Sequence, residues 1–455
     1  KADFGTAPEA FSATANGDEA MLWIEGSKKV VEVLDTLYNN LSEEYKDAFY
    51  EQFYYNMLSV NDIIENFGYY EKNLIAAAQG RIGSANVYAQ LSKDAAKRVR
   101  ERKNEFNSRH NDKWTGFMDY DHPGRGYQLV GDGGEKYGEV LKVSNGVGAS
   151  CENSKEAGKG TLRFNSLIKD EAHYFDVFDK NVTPEKWVAE ASDDWIILSV
   201  TSGETRTEQR VTVTVDWAKV TEKQSGTISV FNAGEDGGKT GSAIAVFTVE
   251  ANKSTVAYGD NKGYIEANGY VVMEAEHYTE SIKGSDESFW SVIKSNGQMS
   301  DTMKALPDTA KNTTDWDQTA KLKYRVYFEK EGTYSFTLKR LPVLNEGSEN
   351  GINRSMNIAV GVGTDTPTVL KGNRSGSWTA TLNMCETLTC NIPVKQGWND
   401  IFLYRSDASF VFDKMVIETV KGAVAQSVLG PNESPNNIAE APEIKIGKLP
   451  PELES

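Results

Sequence analysis

Cysteine is almost missing from this chain: there are three in 455 residues, Cys151, Cys385 and Cys390. They make no Cys-x-x-Cys pair, which excludes a thiolate zinc site. Histidine is equally scarce, and His110, His122, His173 and His277 are too scattered to nominate a catalytic base. The cluster Glu276, His277, Glu280 lacks the H-E-x-x-H spacing, and on a strand adjacent Glu and His side chains point to opposite faces. No run approaches the ~20 apolar residues of a membrane-spanning helix, and no signal-peptide pattern opens the chain. The opening KADFGTAPEAFSATANGDEA reads instead as inter-domain sequence. Positive charge is in deficit, 49 Lys and Arg against 66 Asp and Glu, for a net charge of -17. That balance argues against nucleic acid, whose binding rests on neutralising phosphates, and equally against loose attraction to acidic polysaccharide.

Catalytic motifs are missing too. There is no G-x-S-x-G elbow, no dinucleotide glycine pattern and no alternation of β and α units. The loop AGEDGGKTG has Ala233 where a phosphate loop needs its first glycine, and it lies between strands, so it reads as a hairpin. Glycoside hydrolysis needs two carboxylates across the scissile bond, and 66 acidic residues offer no way to single out a pair. No catalytic residue is therefore named.

The chain does carry a change of period. From Glu19 to about Arg109 glycine and proline nearly vanish. Ser42 stands as an N-cap before Glu43 and Glu44, with Tyr45, Phe49 and Phe53 four apart as a packing stripe. A second helix carries Val60, Ile63, Ile64, Phe67 and Leu74; Gly80 and Gly83 break or kink the helix at that point, and Ser84 to about Asn107 makes a third. Short links between them predict an antiparallel bundle. The basic run Lys97, Arg98, Arg100, Arg102, Lys103 reads as a solvated helix face.

Beyond Pro123 the glycines return with strands. Val211, Val213, Val215 and Trp217 alternate with Thr212, Thr214 and Asp216, the period of a half-buried strand. ILSV, GTISVF and AIAVFTVEA continue a sandwich that ends near Ala251. From Gly263 a second β-domain begins: Leu322, Tyr324, Val326 and Phe328 alternate, a glycine turn comes next, and Tyr334, Phe336 and Leu338 alternate again. The fold class expected is multidomain, α then all-β: an antiparallel helical bundle over 1–124, a β-sandwich over 125–262, a β-jelly-roll over 263–430, and a disordered, Glu- and Pro-rich tail over 431–455.

The segments LSEEYKDAFYEQFYYNML, NLIAAAQGRIGSANVYA and NDKWTGFMDYDH, then YFDVFDKNVTPEKWVAEASDDWIILSVTSG, FWSVIKSNGQMSDTMKALP and SVLGPNESP, resemble in that order the carboxy-terminal half of glycoside hydrolase family 115, the xylan α-glucuronidases. Lys113, Trp114, Met118 and His122 match a signature closing the family's helical domain, while Thr115 and Phe117 depart from it. The resemblance implies that the acid and base belong to a catalytic barrel preceding this portion, that the partners are that barrel and glucuronoxylan, together with a second copy in a homodimer, and that the enzyme is secreted or periplasmic. If so, Cys385 and Cys390 suit a disulfide across a turn, with Cys151 left over. The opening E-A-E strand and closing F-D-K-M-V-I strand also resemble β-jelly-roll carbohydrate-binding modules. That likeness implies a structural calcium held by Glu274, Glu276 and Asp413 and a sugar-stacking platform drawn from Trp290, Trp316 or Trp378. A stand-alone carbohydrate-binding or surface-attachment protein is the alternative.

Overall fold

A computed structural model describes residues 12–119, 129–130, 136–341, 343, 356–372, 386–425, 427 and 429–453. The chain forms two compact units: one of Lys1–Phe164, Glu171–Asn252 and Ile444–Ser455, the other of Asn165–Asp170 and Lys253–Glu443. His122, Trp378 and Cys385 lie outside the described residues.

The first unit opens with helices α1 (Glu19–Asn40), α2 (Glu43–Phe49), α3 (Tyr55–Ala78) and α4 (Ile82–Asp112). A π-helical turn, Tyr50–Tyr54, separates α2 from α3. That turn explains a departure from the sequence reading. One extra residue per turn rotates the stripe away, so Tyr45 and Phe53 are 59% and 56% exposed while Tyr50 and Tyr55 turn inward onto Phe106 and Met118. Gly80, at φ +76°, ends α3, and the helix starts afresh at Ile82, so this region is a break and not a kink. Asp18 caps α1, its side chain accepting from the Met21 amide.

The same unit contains a sandwich of β1 (Val147–Cys151), β2 (Lys159–Asn165), β3 (His173–Asp179), β4 (Glu185–Ala191), β5 (Ile196–Leu198), β6 (Ser202–Thr205), β7 (Glu208–Val215), β8 (Lys223–Ala233) and β9 (Lys239–Asn252). One sheet runs β1-β3-β7-β5 and the other β2-β9-β8-β4-β6. The alternation read at 211–217 sets the register: Phe175 lies opposite Val211 and His173 opposite Val213, and Val211 and Val213 are fully buried. The AGEDGGKTG stretch is the hairpin between β8 and β9.

The expected boundary between 124 and 125 is not a division between units, because buried charges tie the helices to the sandwich. Asp18 meets Lys72 at 2.5 Å and Arg210 at 2.9 Å; Arg210 reaches Asp176 at 2.7 Å, and Arg81 joins Asp176 to Glu208. Burial opposes ionisation of Asp176, yet Arg210 and Arg81 hold its carboxyl well below the usual range. The tail is not disordered over its described residues either. Gly447 donates to the Gly17 carbonyl at 2.7 Å, the Lys448 amide donates to Glu25, and Leu449 and Leu453 are buried among Met21, Ile24, Ile64 and Tyr88. Two apolar anchors and paired backbone groups outweigh a composition that suggests disorder.

The second unit is a jelly roll of β10 (Tyr264–Ile265), β11 (Tyr270–Glu274), β12 (Glu280–Ile282), β13 (Phe289–Ile293), β14 (Thr302–Leu306), β15 (Lys321–Phe328), β16 (Gly332–Arg340), β17 (Ile358–Val362), β18 (Thr368–Leu370), β19 (Glu386–Val394), β20 (Gly397–Arg405) and β21 (Val411–Glu418). One sheet runs β10-β15-β20-β17-β18 with β12 on β15; the other runs β13-β14-β21-β16-β19 with β11 on β21. Leu322, Tyr324, Val326 and Phe328 point into the core, as their alternation predicts. The start of the expected tail belongs here: the Val272 amide donates to the Ser434 hydroxyl, the Ser434 amide returns the bond to the Val272 carbonyl, and the Ile265 amide donates to the Pro435 carbonyl.

Candidate functional site

The residues singled out for calcium sit where β11 meets β21. Val271 and Met273 of β11 face the core, so Glu274, one residue on, points to the other face, directly opposite Lys414 in the register. There its Oε1 is 2.8 Å from the Lys414 ammonium, and both side chains are buried. Burial pushes the Glu274 carboxyl up and Lys414 pulls it back down. Glu274 Oε1 is thus paired with a lysine, while its Oε2 is buried without a hydrogen-bond partner. Among the described residues no three His, Cys, Asp or Glu side chains converge to hold a metal ion.

Glu276 and Asp413 behave differently. One oxygen of Glu276 accepts from the Ser300 hydroxyl and, at 3.0 Å, from the Asp301 amide. Asp413 Oδ1 accepts from the Gln298 amide at 3.2 Å. The second oxygen of each, Glu276 Oε2 and Asp413 Oδ2, is buried without a hydrogen-bond partner. Burial also raises the Asp413 carboxyl above its ordinary value. The loop 294–301 between β13 and β14 completes the setting at Gly297. A Cβ there would lie 2.6 Å from Asp413 Oδ1, 2.7 Å from the Ser300 carbonyl oxygen and 2.9 Å from the Asp301 carbonyl oxygen. Two carboxylates with orphaned oxygens and two backbone carbonyls crowded onto one glycine are the donor chemistry of a hard cation such as calcium. Carbonyl donors carry no sequence signal, so nothing in the sequence marks Ser300 and Asp301. The turn run SNGQMSD between two strands is the one hint.

Next to this pair, Glu433 accepts from the Tyr264 hydroxyl at 2.7 Å and pairs with His277 at 2.9 Å. The hydrogen bond to Glu433 raises the His277 imidazole above its usual value. This closes one end of the sandwich with a charged lock made by the segment expected to be disordered.

The platform tryptophans are not brought together. Trp290, on β13, is buried, which removes it as a stacking surface. Trp316 is half-buried, its ring edge-on to Tyr404 at 5.8 Å. Trp378 lies outside the described residues. Cys151 is buried and its thiol pushed up to about 12, which leaves it unreactive.

The chain is similar to several solved structures. One is a family 115 4-O-methyl-α-glucuronidase, BtGH115A, described as specific for decorated arabinogalactans, with 11% identity and a TM-score of 0.43 over 89% of this chain and 33% of that one. The chain therefore spans about a third of that enzyme's length. It is also similar to a family 35 carbohydrate-binding module from Clostridium thermocellum, at 17% identity and TM-score 0.23 over 32% of this chain and 97% of that one. The C-terminal family 6 module of LamC from Zobellia galactanivorans is similar at 14% identity and TM-score 0.23, over 33% of this chain and 98% of that one. No curated protein matches in sequence. Residues 263–433 match the glycosyl hydrolase family 115 C-terminal domain. That match covers residues 263–433, the second unit's jelly roll and the start of the last segment, and the likeness to the glycoside hydrolase family rests on that segment.

Proposed function

We propose that this chain is the accessory, non-catalytic portion of a secreted or periplasmic α-glucuronidase that removes (4-O-methyl-)glucuronic acid from xylan, with a scaffolding role. The observation that carries the reading, beyond the family match, is an unpartnered apolar row on α1. Val30, Val33 and Leu37 recur at helical spacing and are 43%, 60% and 50% exposed. Scattered exposed apolar residues are ordinary, but a row at i, i+3 and i+7 is the contact stripe of a helix that packs. The occupant this reading assigns to it is the catalytic barrel of the same enzyme, with a homodimer partner as the competitor. Co-expression of the chain with that barrel is the test: the two should co-purify, and Val33→Asp with Leu37→Asp should separate them. Incubated alone with glucuronoxylan, the chain should release no glucuronic acid. Release would overturn the division of labour.

The calcium belongs to the same reading. Glu276, Asp413 and the Ser300 and Asp301 carbonyls would hold the ion, and its charge would neutralise two buried carboxylates. The chain's own contribution is to pin the loop 294–301 to Asp413 of β21 through the Gln298 amide and to Glu276, just after β11, through the Asp301 amide. The second reading, a stand-alone carbohydrate-binding protein, is favoured by Trp398 and Tyr327, half-buried on the outward face of β20 and β15 with ring centres 5.6 Å apart.

A further inference from the structure

The tail segment 447–453 lies as a strap on the first unit, held by a small set of contacts that read its backbone and its side chains separately. The Gly447 amide donates to the Gly17 carbonyl at 2.7 Å, and the Lys448 amide donates to the Glu25 carboxylate at 2.6 Å. The groove donates in return, Arg210 to the Gly447 carbonyl and the Thr207 hydroxyl to the Leu453 carbonyl. Leu449 and Leu453 fill its apolar floor beside Met21, Ile24, Ile64 and Tyr88. Main-chain bonds supply attachment and side-chain pockets supply selection, which is how a peptide-recognition groove works. One position is fixed by shape alone. A Cβ on Gly447 would lie 2.6 Å from Met21 Cβ, 3.1 Å from the Asp18 carbonyl oxygen and 3.2 Å from the Leu22 amide nitrogen. Only glycine lets the strap lie this close to the first turn of α1, so the groove reads Gly-x-Leu-x-x-x-Leu, carried here by Gly447, Leu449 and Leu453.

We propose that this groove is a peptide-recognition site whose partner is the strap of a second copy of this chain, two copies exchanging straps reciprocally. The structure itself displays the ligand the groove accepts. Residues 440–446, which lead to the strap, form neither helix nor strand, and Glu440, Ala441, Glu443 and Lys445 among them are exposed. A strap delivered by such a link makes the same contacts whether it comes from its own chain or from another, which is why exchange of this kind costs little. The tether gives the chain's own strap an effective concentration on the order of mM. The closed form therefore prevails in dilute protein, and exchange emerges near that concentration or wherever the chain's own strap is blocked. Val30, Val33 and Leu37 lie further along α1 and take no part.

The test pairs two variants of the full chain, neither of which can dock its own strap. Gly447→Val spoils the strap and leaves the groove. Gly17→Ala spoils the groove and leaves the strap, because Gly17 sits at φ +72° and a Cβ there would run into the Lys445 carbonyl. Each alone should be monomeric by size-exclusion chromatography with light scattering, and the mixture should give a heterodimer that melts above either variant. A fluorescent peptide of residues 444–453 should bind the Gly447→Val chain and be excluded from the wild type by its own strap. The same peptide carrying Gly447→Val should bind about tenfold or more weakly, the effect of overpacking a tight contact. Circular dichroism reports whether the variants fold; if Gly17→Ala does not, Glu25→Ala with Thr207→Val takes its place, removing two groove contacts to the strap backbone. A mixture that stays monomeric, or a peptide that binds neither chain, overturns the proposal. So does a Gly447→Val chain that dimerises by itself as readily as the wild type, since the interface between copies would then lie elsewhere.

Discussion

Two clusters of buried charge, one in each unit, contrast in how their carboxylates are satisfied. In the first unit every carboxylate of the knot meets a cation: Asp18 has Lys72 and Arg210, Asp176 has Arg81 and Arg210, and Glu208 has Arg81. In the second, Glu274 has Lys414, but Glu276 faces only His277 at 4.0 Å, and Asp413 Oδ2 is orphaned. A buried charge without a partner is costly enough that something must compensate it. Oxygens without a hydrogen bond occur in both clusters, Glu208 Oε2 in the first and Glu274 Oε2, Glu276 Oε2 and Asp413 Oδ2 in the second. What sets the second apart is that Glu276 and Asp413 have no Lys or Arg within ion-pair distance among the described residues, as the ligands of a cation would.

The largest expected effect falls on the complete cluster. Arg210→Ala takes one cation from both Asp18 and Asp176, leaving them Lys72 and Arg81 alone, and should cost about 3–5 kcal/mol, read as a drop in the denaturant midpoint of the first unit. A loss below about 1 kcal/mol would show the knot to be solvated. Next comes the strap, where Leu453→Ala deletes a fully buried side chain and should cost about 2–5 kcal/mol. A melt indistinguishable from wild type would return the tail to the disordered state its composition suggests.

The incomplete cluster gives the third prediction. Calcium should raise stability by about 2.7 kcal/mol when it is about 100-fold above its Kd, and EDTA should reverse this. Asp413→Asn should abolish the response, whereas Glu274→Gln should leave calcium binding in place while destabilising the strand pair through an unpaired Lys414. Melting temperatures insensitive to EDTA in wild type would dissolve the contrast between the clusters. Because burial raises the Asp413 carboxyl in the absence of an ion, the calcium-free protein should lose stability as pH rises above the normal aspartate range. The EDTA effect should therefore be larger at about pH 7 than at about pH 5.

The last prediction is a pH dependence at His173, which lies 2.6 Å from Glu152 and 3.6 Å from Glu171. Burial disfavours its cation, but the two carboxylates outweigh that and push it up to about 10. Its contribution to stability is therefore fully present below about pH 6.5, the ordinary histidine value, and is lost as pH rises through about 10. His173→Gln should flatten that part of the pH profile, and a profile identical to wild type would show that the imidazolium contributes nothing.

Legibility in the sequence followed the same divide. Periods of two and of three to four were readable because burial on one face imposes them locally, so the α-then-β order and the strand at 322–328 appear in the structure as read, while the strand read over 211–217 stops at Val215 and Trp217 lies in a turn. The Tyr45, Phe49, Phe53 stripe failed because a π-helical turn shifts the register without any residue that announces it. Glu274, Glu276 and Asp413 were singled out through the strand motifs, which give the spacing of carboxylates and not the lysine that reaches Glu274 from the facing strand.

By itself the sequence determined the α-then-β order and the family resemblance, since these rest on local period and on motifs. Only the tertiary structure decided that the helices and first sandwich share one unit, that the tail is an anchored strap, and which acidic groups keep an unpaired oxygen. Those outcomes depend on contacts between residues hundreds of positions apart, such as Thr207 with Leu453 and Gly17 with Gly447. Charge pairing and burial are properties of such contacts, and no local pattern encodes them.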